Sequence, residues 1–210
     1  MTDLLLIGAG GHCASCIEVI ESHALYQIRG IVDLPEKLGE KILGYEITGH
    51  DDQLEELLKE TSAFLVTMGS IKNAKMRQQL FEKCKGAGGQ GAVVAAGTAH
   101  VSKHADLAGG TIVLHQALVN ARARVGENCI INSKALIEHG VSVGSHSHIS
   151  TGAIVNGDCI IGERVFVGSR AVLHQGVQLC DDAIIGAGSV VIADINEPGV
   201  YVGCPARKTK

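Results

Sequence analysis

VGENCI-INSKAL-IEHGVS-VGSHSH-ISTGAI-VNGDCI-IGERVF, residues 125–166, decides the fold. Each group of six opens on an aliphatic residue, and the series runs from Val101 to Val191 without a miss over sixteen positions. The residue four places later is small or β-branched throughout, as in Ala117, Ala123, Cys129, Ala135, Val141 and Ser147. A period of six fits neither the 3.6 of an α-helix nor the two of a plain strand. It fits a parallel β-helix built of hexapeptides. Three hexads close a triangular coil, so the stretch makes about five coils stacked roughly 4.8 Å apart. The aliphatic residue points into the prism and the small residue fits its crowded corner. No hexad carries an insertion, so no loop is extruded over a site between residues 101 and 191.

Outside the coils, the first 85 residues alternate differently. Residues 4–7 are a short apolar run, expected as a buried strand. Gly8, Ala9, Gly10, Gly11 and His12 follow, then a helical pattern through Ile17, Val19 and Ile20. Strand, Gly-rich turn and helix open a nucleotide-binding βαβ unit, where backbone N–H groups meet phosphate at a helix N-terminus. The dinucleotide fingerprint is incomplete, with Cys13 at its third glycine. A tight turn without ligand has the same pattern. Residues 28–32 read as a second strand ending at Asp33, which either binds a ribose or base edge or caps a turn. A helix from Asp51, a third strand over residues 63–68 and a helix through Met76, Leu80 and Phe81 complete a small parallel sheet. The glycine-rich residues 86–91 are expected as a flexible joint. Two domains are thus expected: a Rossmann-like α/β domain over residues 1–88 and an all-β helix with its tail over 89–210.

Composition removes several classes. Net charge is −4, which leaves no basic footprint for nucleic acid. No run of about 18 apolar residues is present, so no membrane span is expected. The N-terminus shows no basic n-region, so no signal peptide is expected. Seven cysteines follow no disulfide framework, which suits a reducing, cytoplasmic setting. Cys13 and Cys16 are formally C-x-x-C but have no second pair to complete a metal set, and no metal is expected.

These parts together resemble the NeuD/PglD group of sugar O- and N-acyltransferases. The resemblance rests on GAGGH near the N-terminus, the unbroken hexads, and the tail Val202, Gly203, Cys204, Pro205, Ala206, Arg207. It implies a left-handed β-helix, acetyl-CoA as donor and a nucleotide sugar as acceptor. It implies that His139, in Ile137-Glu138-His139-Gly140, is the general base. An imidazole titrating near 6.5 is suited to accept a proton at neutral pH. Relatives carry a carboxylate where Gly140 stands, so Glu138, Asn132 or a backbone carbonyl is left to orient the ring. The resemblance places His148, Ser169 and Ala187 at the cofactor; Gly168 and Gly186, just before the last two, allow close approach, and Arg207 and Lys208 either meet its phosphates or form a solvated basic tail. It places Gly10, Gly11, His12, Asp33 and Gly69 at the nucleotide sugar. His139 and His148 lie half a coil apart, so one site using both needs two chains, and a homotrimer is expected. The acceptor implied first is the 4-amino group of a UDP-4-amino-4,6-dideoxy sugar in bacillosamine-type glycan biosynthesis. O-acetylation of a sialic acid or another sugar, and N-acetylation of a GDP-linked amino sugar, are allowed by Leu34 and Gly140. A non-catalytic β-helix or a metal-dependent hydratase using His115, His139 and His148 is the alternative of a different class.

Overall fold

The computed structural model describes residues 1–23, 25–70 and 74–209. The N-terminal half is a six-stranded sheet with helices on both faces. Its elements are β1 (Thr2–Ile7), α1 (Gly11–Glu21), β2 (Tyr26–Asp33), β3 (Lys41–Ile42), β4 (Tyr45–His50), α2 (Leu54–Glu60), β5 (Ala63–Val66), α3 (Lys75–Gly86) and β6 (Gln90–Gly91). The strand order is β3-β4-β2-β1-β5-β6, parallel except for the β3–β4 pair. β1 is apolar at consecutive positions because both its faces are covered. Leu4 and Leu6 face α1, whereas Leu5 and Ile7 face α2 and α3.

Two expectations are corrected, and one element is new. The third strand ends at Val66 rather than at Met68. The β3–β4 hairpin was not expected; it turns at Leu43 (φ 47°) and Gly44 (φ 92°), the left-handed pair that a two-residue hairpin requires. Residues 86–91 are no flexible joint, since α3 runs to Gly86 and β6 pairs with β5. The glycines there serve close packing instead. A Cβ on Gly89 would lie 2.8 Å from the Phe64 ring, and one on Gly91 would lie 2.6 Å from the Gly110 nitrogen.

The second half is the expected coil, with each two-residue strand paired in parallel to the strand 18 residues on, as Ile112↔Ile130 and Ile130↔His148. Its handedness is left, as in the relatives described below. The inward residues, among them Val119, Ile131, Ile137, Ile149, Val155 and Val167, form one buried column with the small corner residues Ala123, Cys129, Ala153 and Cys159. The turns share a feature not read from the sequence. Every sixth residue from Gly110 to Gly188 has positive φ, and at each the chain turns a corner. Glycine fills five of these fourteen positions, and Asn128, Asp158 and Asp182 fill three more, all types that tolerate the left-handed region.

The three outer faces differ. The first, through Ile112, Ile130, His148 and Phe166, is covered in its early coils by α1, which shares a buried cluster with Val94, Ile112, Leu114 and Ile130. The third presents Asp106, Arg124, Ser142, Ile160 and Gln178. The second presents Leu118, Leu136, Ile154, Val172 and Val190, one above the other and half-buried within the single chain. At the C-terminus, Gly199–Gly203 continues the first face and Ala206–Lys208 folds back antiparallel on it.

Candidate active site

A cavity of about 650 Å³ opens at the C-terminal edge of the parallel sheet, where open α/β sheets place ligands. Gly8, Gly10, Gly11, His12, Asp33 and Gly69 line it, together with Leu34, Lys37, Met68 and Met76. The residues expected at the nucleotide sugar are therefore brought together. β1 delivers the glycine turn, with Gly8 at φ 106°, and Gly10 caps α1 without a side-chain bond to its first turn. The first N–H groups of an 11-residue helix border the cavity. β2 delivers Asp33. Its carboxylate accepts from the Leu34 N–H at 2.8 Å and Lys37 Nζ at 2.9 Å, and also from the Ala9 N–H. Burial raises its pKa, but the Lys37 and backbone hydrogen bonds outweigh that and hold it below the ordinary carboxylate range. Asp33 is an anion that braces the loop as well as facing the cavity.

Under this cavity lies a buried basic group the sequence reading missed. Arg77 on α3 is 1% exposed and has no carboxylate partner among the described residues. Its Nη1 donates to the carbonyls of Val66 (2.5 Å) and Met68 (2.7 Å), and its Nε donates to Asn128 of the coil (3.2 Å). The Asn128 amide returns a bond to the Arg77 carbonyl at 3.3 Å. Arg77 therefore ties the cavity-side ends of the sheet to the β-helix. Burial lowers its pKa to about 10. Its charge has a further effect: His12 is pushed down to about 3, first by burial, then by Arg77, then by His148.

His148 sits on the first face, 5% exposed. Its Nδ1 lies 2.8 Å from the Ser70 carbonyl, which only accepts, so Nδ1 carries the proton. Its Nε2, 3.2 Å from the Asn132 amide, then accepts. Burial lowers its pKa to about 4, so it is a neutral, fully engaged imidazole. Asn132 is therefore occupied with His148 and does not orient His139.

His139 stands elsewhere. It follows the second-face strand Leu136–Ile137 and precedes the third-face strand Ser142–Val143, so it occupies the corner opposite the first face. Its side chain is 57% exposed. Glu138 does not reach its ring: Glu138 Oε2 accepts from the His139 backbone N–H at 3.1 Å and from Asn120 at 2.9 Å. One chain thus assembles the cavity with His148 and leaves His139 apart.

The remaining candidates lie near the corner between the first and second faces. Ser133, Thr151, Ser169 and Ala187 repeat there at 18-residue spacing, and Ser169 Oγ meets Ser150 Oγ at 3.0 Å. Gly168 and Gly186 were expected to be glycine for close approach of a cofactor. The structure gives another reason. A Cβ on Gly168 would lie 2.6 Å from the Ala187 nitrogen in the next coil, and one on Gly186 would lie 2.7 Å from Val202. Coil stacking requires Gly168, whereas Gly186 is crowded only by the Val202 side chain of the tail strand. Arg207 is exposed, with Nη1 on the Ala206 carbonyl, while Lys208 pairs with Glu197 at 3.0 Å. His115 bonds Thr98 at 2.8 Å, on a different corner from His139. Cys13 and Cys16 pack in the α1 core, where burial raises both thiols, that of Cys16 to about 12.

Comparison with known proteins agrees with this architecture. Residues 3–84 match the PglD N-terminal domain, and residues 122–156 and 159–193 match the hexapeptide repeat of succinyl-transferase. PerB from Caulobacter crescentus, solved with CoA and GDP-perosamine, is similar at 28% identity and a TM-score of 0.92, over 100% of this chain and 98% of that one. The acetyltransferase domain of PglB from Neisseria gonorrhoeae is similar at 28% identity and a TM-score of 0.91, over 99% and 100%. WeeI from Acinetobacter baumannii, at 14% identity and a TM-score of 0.61, shares the fold. Joined in this order over nearly the whole length of such relatives, the PglD-type domain and the hexapeptide coil show that the chain belongs to the PglD/NeuD type of acyltransferases.

Proposed function

We propose that this protein is an acetyl-CoA-dependent N-acetyltransferase acting on the amine of a nucleotide-linked amino sugar. Residues 1–88 hold the nucleotide in the cavity at Gly10, Gly11, His12, Asp33 and Gly69, and residues 89–210 carry the acetyl donor and the base. The observation that carries the reading is the pairing of a cavity at the sheet edge with a buried, neutral His148 beneath it, on the fold of CoA-using relatives. His139 takes the proton at Nε2 as the sugar amine attacks the thioester carbonyl. The N–C bond forms, the C–S bond breaks, and the proton passes on to the departing thiolate. The oxygen that gains charge needs a preorganised donor, and the backbone N–H groups of the corner near Ser169 and Ala187 suit that role. Gly168, Gly186 and Arg207 belong to the same donor channel in this reading.

His139 and the cavity lie on opposite sides of one prism, so the working site joins two chains. The half-buried aliphatic column of Leu118, Leu136, Ile154, Val172 and Val190, beside His139, supports a homotrimer closed on the second face. Seven free cysteines suit a cytoplasmic setting.

Two acceptors are favoured by different observations. The UDP-linked 4-amino-4,6-dideoxy sugar of bacillosamine-type glycans rests on the resemblance to PglD. The GDP-linked amino sugar is favoured by PerB and its GDP-perosamine complex, and by apolar Leu34 in the cavity. The test is release of free thiol from acetyl-CoA against UDP-, GDP-, dTDP- and CMP-linked amino sugars. The expected outcome is turnover with a UDP- or GDP-linked amine and a loss of about 10²-fold or more in His139→Ala. Undiminished turnover in His139→Ala removes His139 as the base, and turnover only with hydroxyl acceptors removes the amine.

A further inference from the structure

The exposed imidazole of His139 has a carboxylate in front of it, supplied by the next coil. Asp158 Oδ1 lies 3.9 Å from His139 Nδ1. The main chain fixes the two residues together, since the Asp158 N–H donates to the His139 carbonyl at 3.0 Å. Two glycines make the room. A Cβ on Gly140 would lie 2.2 Å from Asp158 Oδ1, so a side chain at 140 displaces the carboxylate of 158 from this place. A Cβ on Gly157 would lie 2.6 Å from His139 Cε1, so a side chain there moves the ring from this position. The nearer acid in sequence, Glu138, is held by Asn120 and the His139 backbone.

We infer that Asp158 is the positioning residue for His139, accepting its Nδ1–H so that Nε2 is left bare to take the proton of the acceptor. A small rotation of either exposed side chain closes 3.9 Å to hydrogen-bond length, and such bonds tighten in the loaded enzyme. A carboxylate so placed fixes the tautomer and stabilises the imidazolium once it forms. Gly140 is then the vacancy that Asp158 fills. This rests on the reading of His139 as the base.

The backbone offers a direct test. Positions 140 and 158 are equivalent corners with φ of 70° and 60°, and Asp182 and Gly152 occupy others at 59° and 66°. Exchange of the two residues is therefore tolerated by the coil. In the full-length enzyme, Asp158→Asn is expected to lower kcat roughly tenfold to a hundredfold with KM for both substrates unchanged. The exchange variant Gly140→Asp/Asp158→Gly is expected to recover most of that loss. The ¹⁵N shifts of the His139 imidazole are expected to show a proton on Nδ1 in the wild type and a mixture of tautomers in Asp158→Asn. Wild-type kcat in Asp158→Asn, or His139 signals identical in the two proteins, overturns the proposal. Wild-type turnover in His139→Ala refutes the base reading instead, and the imidazole shifts then still decide whether Asp158 holds the ring.

Discussion

His12 and His148 are the residues whose burial has a measurable thermodynamic consequence. In an unfolded chain each imidazole binds a proton near pH 6.5. Folded, His12 resists protonation until about pH 3 and His148 until about pH 4, chiefly because both are buried. A depressed folded pKa means that the unfolded state binds more protons between these values. The stabilisation is fully present above about pH 6.5 and is lost as pH falls toward the folded values, on the order of 5 kcal/mol for His12 and 3 kcal/mol for His148. His146 titrates in the same direction, buried at 4% exposure against Phe81 of α3. The urea midpoint is therefore expected to fall steadily from pH 7.5 to pH 5. His148→Gln is expected to remove about one proton from that dependence, or about 1.4 kcal/mol per pH unit. A midpoint independent of pH across this range contradicts the assigned burial and tautomers.

Among the elements, the hexad coil is governed by glycines that the period of six does not itself explain. Gly126, Gly144, Gly162 and Gly168 each lack room for a Cβ because the backbone of the next coil lies 2.5–2.7 Å from where it would sit. Gly144→Ala is expected to force two coils apart and to cost about 2 kcal/mol or more, read as a lowered melting temperature. Glycine at the open corner Gly176, where a Cβ meets nothing within 4 Å, gives the contrast, constrained only by its φ of 75°. The aliphatic and small-residue series were legible because they recur with one period, and Ile137 or Cys159 takes its place from spacing alone. The left-handed corners were not, since Arg122, Lys134 and Arg170 adopt positive φ without any propensity for it. Coil stacking imposes it on them. The β3–β4 hairpin escaped because β3 has two residues, too few for a period. Arg77 escaped because a lone arginine in a helix rich in Lys, Gln and Glu reads as solvent-facing, whereas its carbonyl partners come from β5, the turn after it and the coil. The glycine turn and Asp33 were legible from the βαβ pattern, whereas His12 and Gly69 came with the family resemblance; the structure brings all of them to one cavity. Asp158 was not, because its neighbour His139 lies a full coil before it.

The whole molecule is a prism with its three outer faces put to different uses. One carries the α/β half, one is polar, and one is an aliphatic column standing next to His139. The cavity and His148 belong to the first face, and His139 to the corner opposite it. On the proposed reading, with His139 as the base and the cavity as the acceptor site, the two work together only across a chain–chain boundary. Mixed assemblies of the proposed trimer test this most directly. His139→Ala removes the proposed base. Gly69→Phe fills the cavity, at a position where a Cβ meets only His12, at 3.7 Å. Each variant alone is expected to be inactive in acetyl transfer. When the two are unfolded and refolded together, random assembly gives about one site in four an intact His139 from one chain and an intact cavity from the next. Recovery to about a quarter of wild-type turnover is expected on that statistical basis. A mixture no more active than its two parents would place the whole site within one chain and contradict a site shared between chains.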